Sequence, residues 1–337
     1  MNSVYSYTRS DLALYFINNG EKKFKADIVF DWLYKKRITD FSLMSNLNKN
    51  VISKLKEDMN TESITILKKD KGTDVAKYLF GLNDGEKIEA VVMYHDYGTS
   101  LCISTEVGCN MGCAFCESGR LKKRRGLRVE EMVLQILEIE KDINKRISHI
   151  VLMGIGEPFD NYDNVMKFIN IINDSKGIDI GARHITISTC GLIPKIKEFT
   201  DMKTQVNLAI SLHAPNNELR NKIMPINKVY PLEELMETIK EYIKVTNRRV
   251  TFEYILLKGV NDTKECAIEL CKLVKGLNCY INLIPYNETN NIQFKRSENG
   301  TINEFYDILK KNNICVTVRR ESGGLVSAAC GQLRSHG

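Results

Sequence analysis

From residue 98 onward the chain alternates short apolar strands with amphipathic helices, and no other feature constrains its architecture as strongly. The strand patterns are SLCIS (100–104), HIVLMG (149–154), HITIST (184–189), VNLAIS (206–211), VTFEYIL (250–256) and YINLIP (280–285). Helical patterns occupy 129–144, 161–174, 231–245 and 262–275 between them. A strand that returns through a helix pairs in parallel with its predecessor, because the crossover carries the chain back to the same end of the sheet. Six such units fit an open doubly wound sheet or a partial barrel. Both architectures place their sites at the C-terminal ends of the strands.

The first part of the chain follows another pattern. Residues 8–58 read as helices with short turns: 11–17 stops at Asn18-Asn19-Gly20, and 25–36 carries Ile28, Val29, Trp32 and Leu33 at helical spacing. Residues 63–94 switch to strands, SITILKK, VAKYLFGL and KIEAVVMY, with turns at Lys71-Gly72 and Asn83-Asp84-Gly85. The expected organisation is an accessory unit over 1–95 and a strand–helix unit over 96–337.

Charged residues at 27% and hydrophobic ones at 43% suit a globular chain. No run reaches the roughly 18–20 apolar residues of a membrane span. The opening MNSVYSYTRSDLALYF lacks the basic flank and apolar block of a signal peptide. The expected location is therefore cytoplasmic, with no membrane partner. In that reducing setting ten cysteines point to metal or redox chemistry, not to structural disulfides. The net charge is +6, and basic residues cluster in EKKFKAD (21–27), YKKR (34–37), LKKRRGLR (121–128) and VRR (318–320). Any one such run reads as a solvated face, but Phe24, Trp32 and Tyr34 interleave with the first two, which favours nucleic acid slightly.

Four of the ten cysteines fall within residues 102–116, and three of them, Cys109, Cys113 and Cys116, are spaced C-x3-C-x2-C. Zinc prefers four protein ligands in two pairs, and no second pair follows. Cys266, Cys271, Cys279 and Cys315 are scattered and read as buried helix and strand residues. Three thiolates on one short loop suit a four-iron cluster that leaves one iron open to an external ligand.

That spacing, with Phe115 just before the third cysteine, resembles the radical S-adenosylmethionine superfamily. The resemblance implies that the open iron chelates S-adenosylmethionine and that reductive cleavage gives a 5′-deoxyadenosyl radical. It also implies cofactor contacts at successive strand ends: Gly156 and Glu157 in MGIGEP, Ser188 in HITIS, Ser211, Leu212 and His213 in SLH, and Asn287 in LIPYN. Longer blocks, RHITISTCGLIPKI, LAISLHAPN, LRNKIMPIN, FEYILLKGVND and AACGQLR, are similar to the RlmN/Cfr family of RNA adenosine methyltransferases. Membership would imply an α/β fold, a partial (βα)6 barrel with a small α+β N-terminal accessory domain. It would imply a [4Fe-4S] cluster and two S-adenosylmethionine molecules per turnover.

The same resemblance assigns the remaining chemistry. Carbon 2 of adenine is electron-poor and does not attack a methyl sulfonium, whereas a thiolate does. Cys330 would carry the methyl group, and Cys102 would release the RNA from Cys330 by forming a transient disulfide. Glu89 in KIEAVVMY would remove the ring proton. The implied substrates are an adenosine of 23S rRNA and, in some members, tRNA, with a reductant such as flavodoxin supplying electrons. The basic N-terminal unit and LKKRRGLR would grip phosphates.

Three positions depart from the family pattern: GLVSAACGQL replaces DIDAACGQL, Glu117 follows the cluster, and Cys190 stands in STCG. Pro285 in LIPYN favours carbon 2. A Cfr-like carbon 8 methyltransferase conferring antibiotic resistance is the alternative. A radical enzyme acting on a small molecule or peptide, and a non-catalytic RNA-binding module, are readings of other classes. The pairing of Cys102 with Cys330 argues against the former and the open cluster against the latter.

Overall fold

The computed structural model describes residues 1–288, 293–319 and 333. Three helices open the chain: α1 (Arg9–Asn18), α2 (Lys25–Phe30) and α3 (Lys49–Asp58). α1 begins two residues before the expected start. Thr8 Oγ1 accepts the Asp11 N–H at 3.1 Å and Asp11 returns an acceptor to the Thr8 N–H at 3.0 Å, a reciprocal cap that fixes the first turn. Ion pairs tie this helical unit to the rest, with Arg9 on Asp174 at 2.8 Å and Lys167 on Asp11 at 2.8 Å.

Among the described residues, ten strands form one sheet whose spatial order is the chain order. β1 (Thr65–Lys71), β2 (Val75–Gly81), β3 (Lys87–His95) and β4 (Gly98–Cys102) run antiparallel. β5 (His149–Leu152), β6 (Ile185–Thr189), β7 (Asn207–Ser211), β8 (Val250–Leu256), β9 (Cys279–Pro285) and β10 (Val316–Val318) then continue from β4 in parallel. All six expected strand–helix strands are present. The additional parallel strand β10 escaped notice because three residues, VTV, are too few to carry a period. The crossovers are α4 (Val129–Ile143), α5 (Tyr162–Asn173), α6 (Ile193–Asp201), α7 (Asn217–Ile223), α8 (Leu232–Thr246), α9 (Lys264–Leu273) and α10 (Asn299–Lys311).

The strands of this sheet do not read as continuous apolar runs, the usual signature of a parallel sheet covered on both faces. Ile185 and Ile187, Leu208 and Ile210, Phe252 and Tyr254 point outward into the core under the helices. Thr186, Thr251 and Asn282 point the other way, and with Ser100 and Val151 they line one cavity of about 740 Å³. The sheet therefore curls into a trough with an apolar outside and a mixed polar and apolar inside. Cys266, Cys271 and Cys279 are buried as expected, but Cys315 is exposed. It sits in the connection between α10 and β10, outside any packed face, so nothing covers it. No helix among the described residues is long and apolar enough to cross a membrane.

Candidate active site

The cysteine loop leaves the C-terminal end of β4 and is closed at its base. Ile103 donates to the Val151 carbonyl (3.1 Å) and Thr105 to Ile155 (2.9 Å), which extends β4 alongside the segment after β5. Glu106–Val107 then pairs with Arg125–Gly126, so the loop begins and ends at one place. Within it Cys109 donates to Leu121 (2.8 Å). Gly108, at φ +75°, lies so close to the Lys122 carbonyl that no side chain fits. Ala114 donates to the Ile223 carbonyl (2.9 Å), anchoring the loop on α7, and Phe115 meets His213 edge-on with centroids 4.8 Å apart.

Cys109, Cys113 and Cys116 line one cavity of about 140 Å³. Facing them are Gly156, Glu157, Ser188, Ser211 and His213. Among the described residues no group of three His, Cys, Asp or Glu is placed to hold a metal ion. Three thiols distributed along a cavity wall suit instead a multi-atom cluster, three irons of which would each take one thiolate. Burial pushes the Cys109 thiol up to about 12 and Cys113 well above its ordinary value, each helped by the neighbouring cysteines. These are sulfurs that lose their protons when metal replaces them. The donor set fits an iron–sulfur cluster with an open site.

The Glu157 carboxylate accepts the Cys190 N–H at 2.7 Å and the Phe159 N–H at 3.0 Å, and burial raises its pKa. Gly156 before it has φ +108°, and a Cβ there would lie 2.5 Å from Glu106 Cγ. His213 Nδ1 accepts the Ile255 N–H at 3.0 Å; burial, then Arg220, lowers its pKa to about 3. The ring is neutral, with its proton on Nε2. Ser188 and Ser211 hydroxyls are 3.5 Å apart on adjacent strands. The Leu212 side chain is buried in the core, and its N–H donates to the Glu253 carbonyl at 3.0 Å. Asn287 lines the larger trough cavity, which shares Met153, Glu253, Ile284 and Arg319 with the cysteine cavity.

Cys102 closes β4 in an apolar patch with Val75, Val91, Ile155 and Leu333. Glu89 is buried on β3, two residues from Val91 and thus on the same face. It is no strand-edge carboxylate: Lys77 on β2 holds it at 3.1 Å. Cys330 lies outside the described residues.

Four groups carry the site; Arg220, Glu106 and Glu253 were not singled out in the sequence, and Cys190 was noted there only as a departure from the family pattern. Arg220, fully buried on α7, donates to the carbonyls of Cys190 (2.7 Å), Leu212 (3.1 Å) and Ser211 (3.2 Å). Glu106 accepts the Glu157 N–H at 2.9 Å and pairs with Lys123 at 2.5 Å, while burial raises its pKa to about 7. Cys190 lines the cavity, its thiol hydrogen-bonded to Glu157. Glu253 sits where the two cavities meet and accepts from Asn282 at 2.8 Å.

The basic runs expected to grip phosphates are largely spoken for. Lys123 bonds Glu106 and Asp160, Arg124 bonds Glu86 (2.6 Å), Arg125 bonds Asp84 and Glu131 (both 2.7 Å), and Arg37 bonds the buried Glu140. Lys123, Arg125 and Arg37 each face a buried carboxylate, whereas Arg124 stays exposed, a distinction that sequence clustering does not reveal.

The chain matches the Radical SAM superfamily over residues 103–272 and the ribosomal RNA large subunit methyltransferase N-terminal domain over residues 3–60. A Spiroplasma citri protein named "Probable dual-specificity RNA methyltransferase RlmN" is 53% identical over 339 residues, 99% of this chain and 98% of its own. An Enterococcus faecalis protein of the same name is 51% identical over 342 residues, 99% and 96% of the two chains. The crystal structure of a radical SAM methyltransferase from Sphaerobacter thermophilus superposes with a TM-score of 0.93 at 38% identity, covering 99% of both chains.

Proposed function

This chain belongs to the RlmN family of radical S-adenosylmethionine RNA methyltransferases, and on that premise we propose that it methylates carbon 2 of an adenosine in 23S rRNA. The observation that carries the reading is the convergence of Cys109, Cys113 and Cys116 with Glu157, Ser188, Ser211 and His213 in one cavity that opens into the trough. The three thiolates would hold a [4Fe-4S] cluster. Reductive cleavage of S-adenosylmethionine to a carbon radical is the chemistry that such a cluster supplies when bound.

This chain's own residues do the rest. Gly156 and Glu157 receive the methionine amino group, and Ser188, Ser211, His213 and Asn287 hold the carboxylate and ribose, with the backbone at Leu212 shaping the turn between them. His213 is neutral and so presents an N–H donor without adding a charge. Cys330 accepts a methyl group from one S-adenosylmethionine and a second molecule is consumed per turnover. The methyl group on Cys330 would give one hydrogen atom to the radical obtained from the second molecule, and its carbon would bond to carbon 2 of the adenine ring. The adduct would return one electron to the redox centre that supplied it while Glu89 takes the ring proton. The Cys102 thiolate then attacks the Cys330 sulfur, the departing methylene carbon takes up a proton to become the product methyl group, and the disulfide left behind is opened by an external reductant. The apolar patch around Cys102 keeps water from its sulfur.

Residues 1–95 form the accessory unit in this reading and 96–337 the catalytic one. We include tRNA as a second substrate, a flavodoxin-like electron donor, and the cytoplasm as location. The relatives' shared RlmN name favours carbon 2 over carbon 8. Mass spectrometry of rRNA and tRNA from a strain lacking the native enzyme and expressing this chain tests all of this. 2-Methyladenosine is expected in both RNAs; 8-methyladenosine alone, or no methylated adenosine, would overturn the reading.

A further inference from the structure

The trough cavity runs from Met153, Glu253, Ile284 and Arg319, beside the cluster site, to Ser100, Thr186 and Thr251 toward the N-terminal ends of the strands. At that far end its mouth is formed by the β3–β4 turn, Tyr94, His95, Asp96 and Tyr97. Four rings are linked in a row there. Tyr97 stacks on His95 (centroids 4.7 Å, 10°) and meets His149 edge-on (5.5 Å, 81°), and His149 stacks on His184 (4.4 Å, 22°). Tyr97 is 69% exposed, the most exposed large ring of the described residues. Nothing in the fold requires an aromatic side chain there, since the turn itself is a short hairpin.

Cations stand along the same rim, at the starts of the neighbouring strands. Arg183 precedes β6 and Arg249 precedes β8, the latter over the Tyr280 ring at 5.0 Å. Arg183 bonds the neutral Gln205 side chain at 3.4 Å, and Arg248 bonds Gln205 (2.8 Å) and Asn207 (2.7 Å). Among the described residues no carboxylate lies in ion-pair range of Arg183, Arg248 or Arg249. This is the reverse of Arg37 and Lys123, each neutralised internally. Uncommitted guanidinium groups beside exposed rings are what an unpaired stretch of nucleic acid recognises: backbone phosphates meet the charge and bases stack on the ring faces.

We propose that this rim docks the RNA substrate: an unpaired base flanking the target adenosine stacks on Tyr97, phosphates contact Arg183 and Arg249, and the target base enters the trough toward the cluster cavity. The inference rests on the RNA methyltransferase reading and adds which face the RNA approaches. A base acted upon must leave its stack, and a platform for its neighbour offsets the lost stacking at the point of entry. The trough interior is suited to a polar heterocycle, since Ser100, Thr186, Thr251 and Asn282 offer donors and acceptors along one wall.

The test is equilibrium binding of reconstituted protein to a 23S rRNA transcript fragment that carries the target adenosine. Tyr97→Ala is expected to weaken binding by roughly five- to a hundredfold, the range for loss of one base–aromatic stack, with the unfolding midpoint unchanged and Tyr97→Trp restoring affinity. The Arg183→Gln/Arg249→Gln double variant should lower the slope of log affinity against log salt by up to about two. Wild-type affinity and salt slope in both variants would overturn the docking face and leave the methyltransferase reading standing. A wild-type protein that neither binds nor methylates this RNA would overturn both.

Discussion

Lys77 and Glu89 form an ion pair across neighbouring strands, Nζ to Oε1 3.1 Å, with the carboxylate buried and the ammonium nearly so. Removing one partner of such a pair leaves the other charge uncompensated in a poorly solvated place, at a cost of roughly 3–5 kcal/mol. Lys77→Met should therefore lower the urea unfolding free energy by about that amount. If Glu89 is the base proposed above, Glu89→Gln, which keeps the shape, should give RNA attached to protein with slow release in single-turnover assays. A Lys77→Met protein as stable as wild type would mean that the pair contributes nothing in solution.

The neutral His213 links the site to acid stability. Its Nδ1 accepts the Ile255 N–H, and burial, with Arg220 second, lowers its pKa from 6.5 to about 3. In the unfolded chain the ring takes up a proton near pH 6.5, while in the folded chain it stays neutral until about pH 3. The contribution is thus fully present above pH 6.5 and is lost as pH falls toward 3, up to ~5 kcal/mol in all. Urea unfolding at steps between pH 7 and pH 4 should show that decline, and His213→Asn should flatten it. A variant with the wild-type slope would assign the decline to other groups.

Most of this architecture was legible because the strands announce themselves twice, by apolar periodicity and by the chemistry at their ends. Cys109, Cys113, Cys116, Glu157, Ser188 and His213 could be placed in one site because parallel strands bring their C-terminal ends together whatever the separation in sequence. What escaped notice depends on packing alone. Arg220 looks like any cation of a short amphipathic helix, and only the ends of β6 and β7 packed against α7 present three carbonyls to it. Lys123 and Arg37 belong to basic runs, yet each faces a buried carboxylate from a distant segment. Arg183, with no run around it, keeps its charge uncommitted. Counting charges along the chain does not distinguish cations held by buried carboxylates from cations that no carboxylate neutralises.

Gly156 offers a direct test of how the Gly-Glu-Pro turn is built. Its φ of +108° is a conformation that L side chains rarely adopt, and Glu106 Cγ sits 2.5 Å from where a Cβ would be. Glu106 cannot simply swing away, since its carboxylate holds the Glu157 N–H and Lys123. Gly156→Ala must shift the turn that carries Glu157, with strain of order 1–3 kcal/mol. Calorimetric titration of the reconstituted variant with S-adenosylmethionine should show affinity lowered by roughly ten- to a hundredfold while the three cysteines still take up iron. Affinity within twofold of wild type would show that the turn does not position the ligand.

In the proposed reaction Cys102 and Cys330 divide the work, so their variants should fail differently. Cys102 lies buried at the end of β4 against Val75 and Val91, residues that also line the trough where the target base is expected. If Cys330 carries the methyl group, Cys330→Ala should take up no methyl from S-adenosylmethionine and form no product. Cys102→Ala should still be methylated at Cys330 and still bond to RNA, but no thiolate would remain to break the carbon–sulfur link. Protein purified from cells expressing Cys102→Ala and digested with ribonuclease should then run as a heavier species, with a nucleotide remnant on the Cys330 peptide by mass spectrometry. The double variant should lack that species, because the link requires the methyl-bearing sulfur. Near-wild-type methylation by both single variants would make the pair structural and would overturn the methyl-cysteine route.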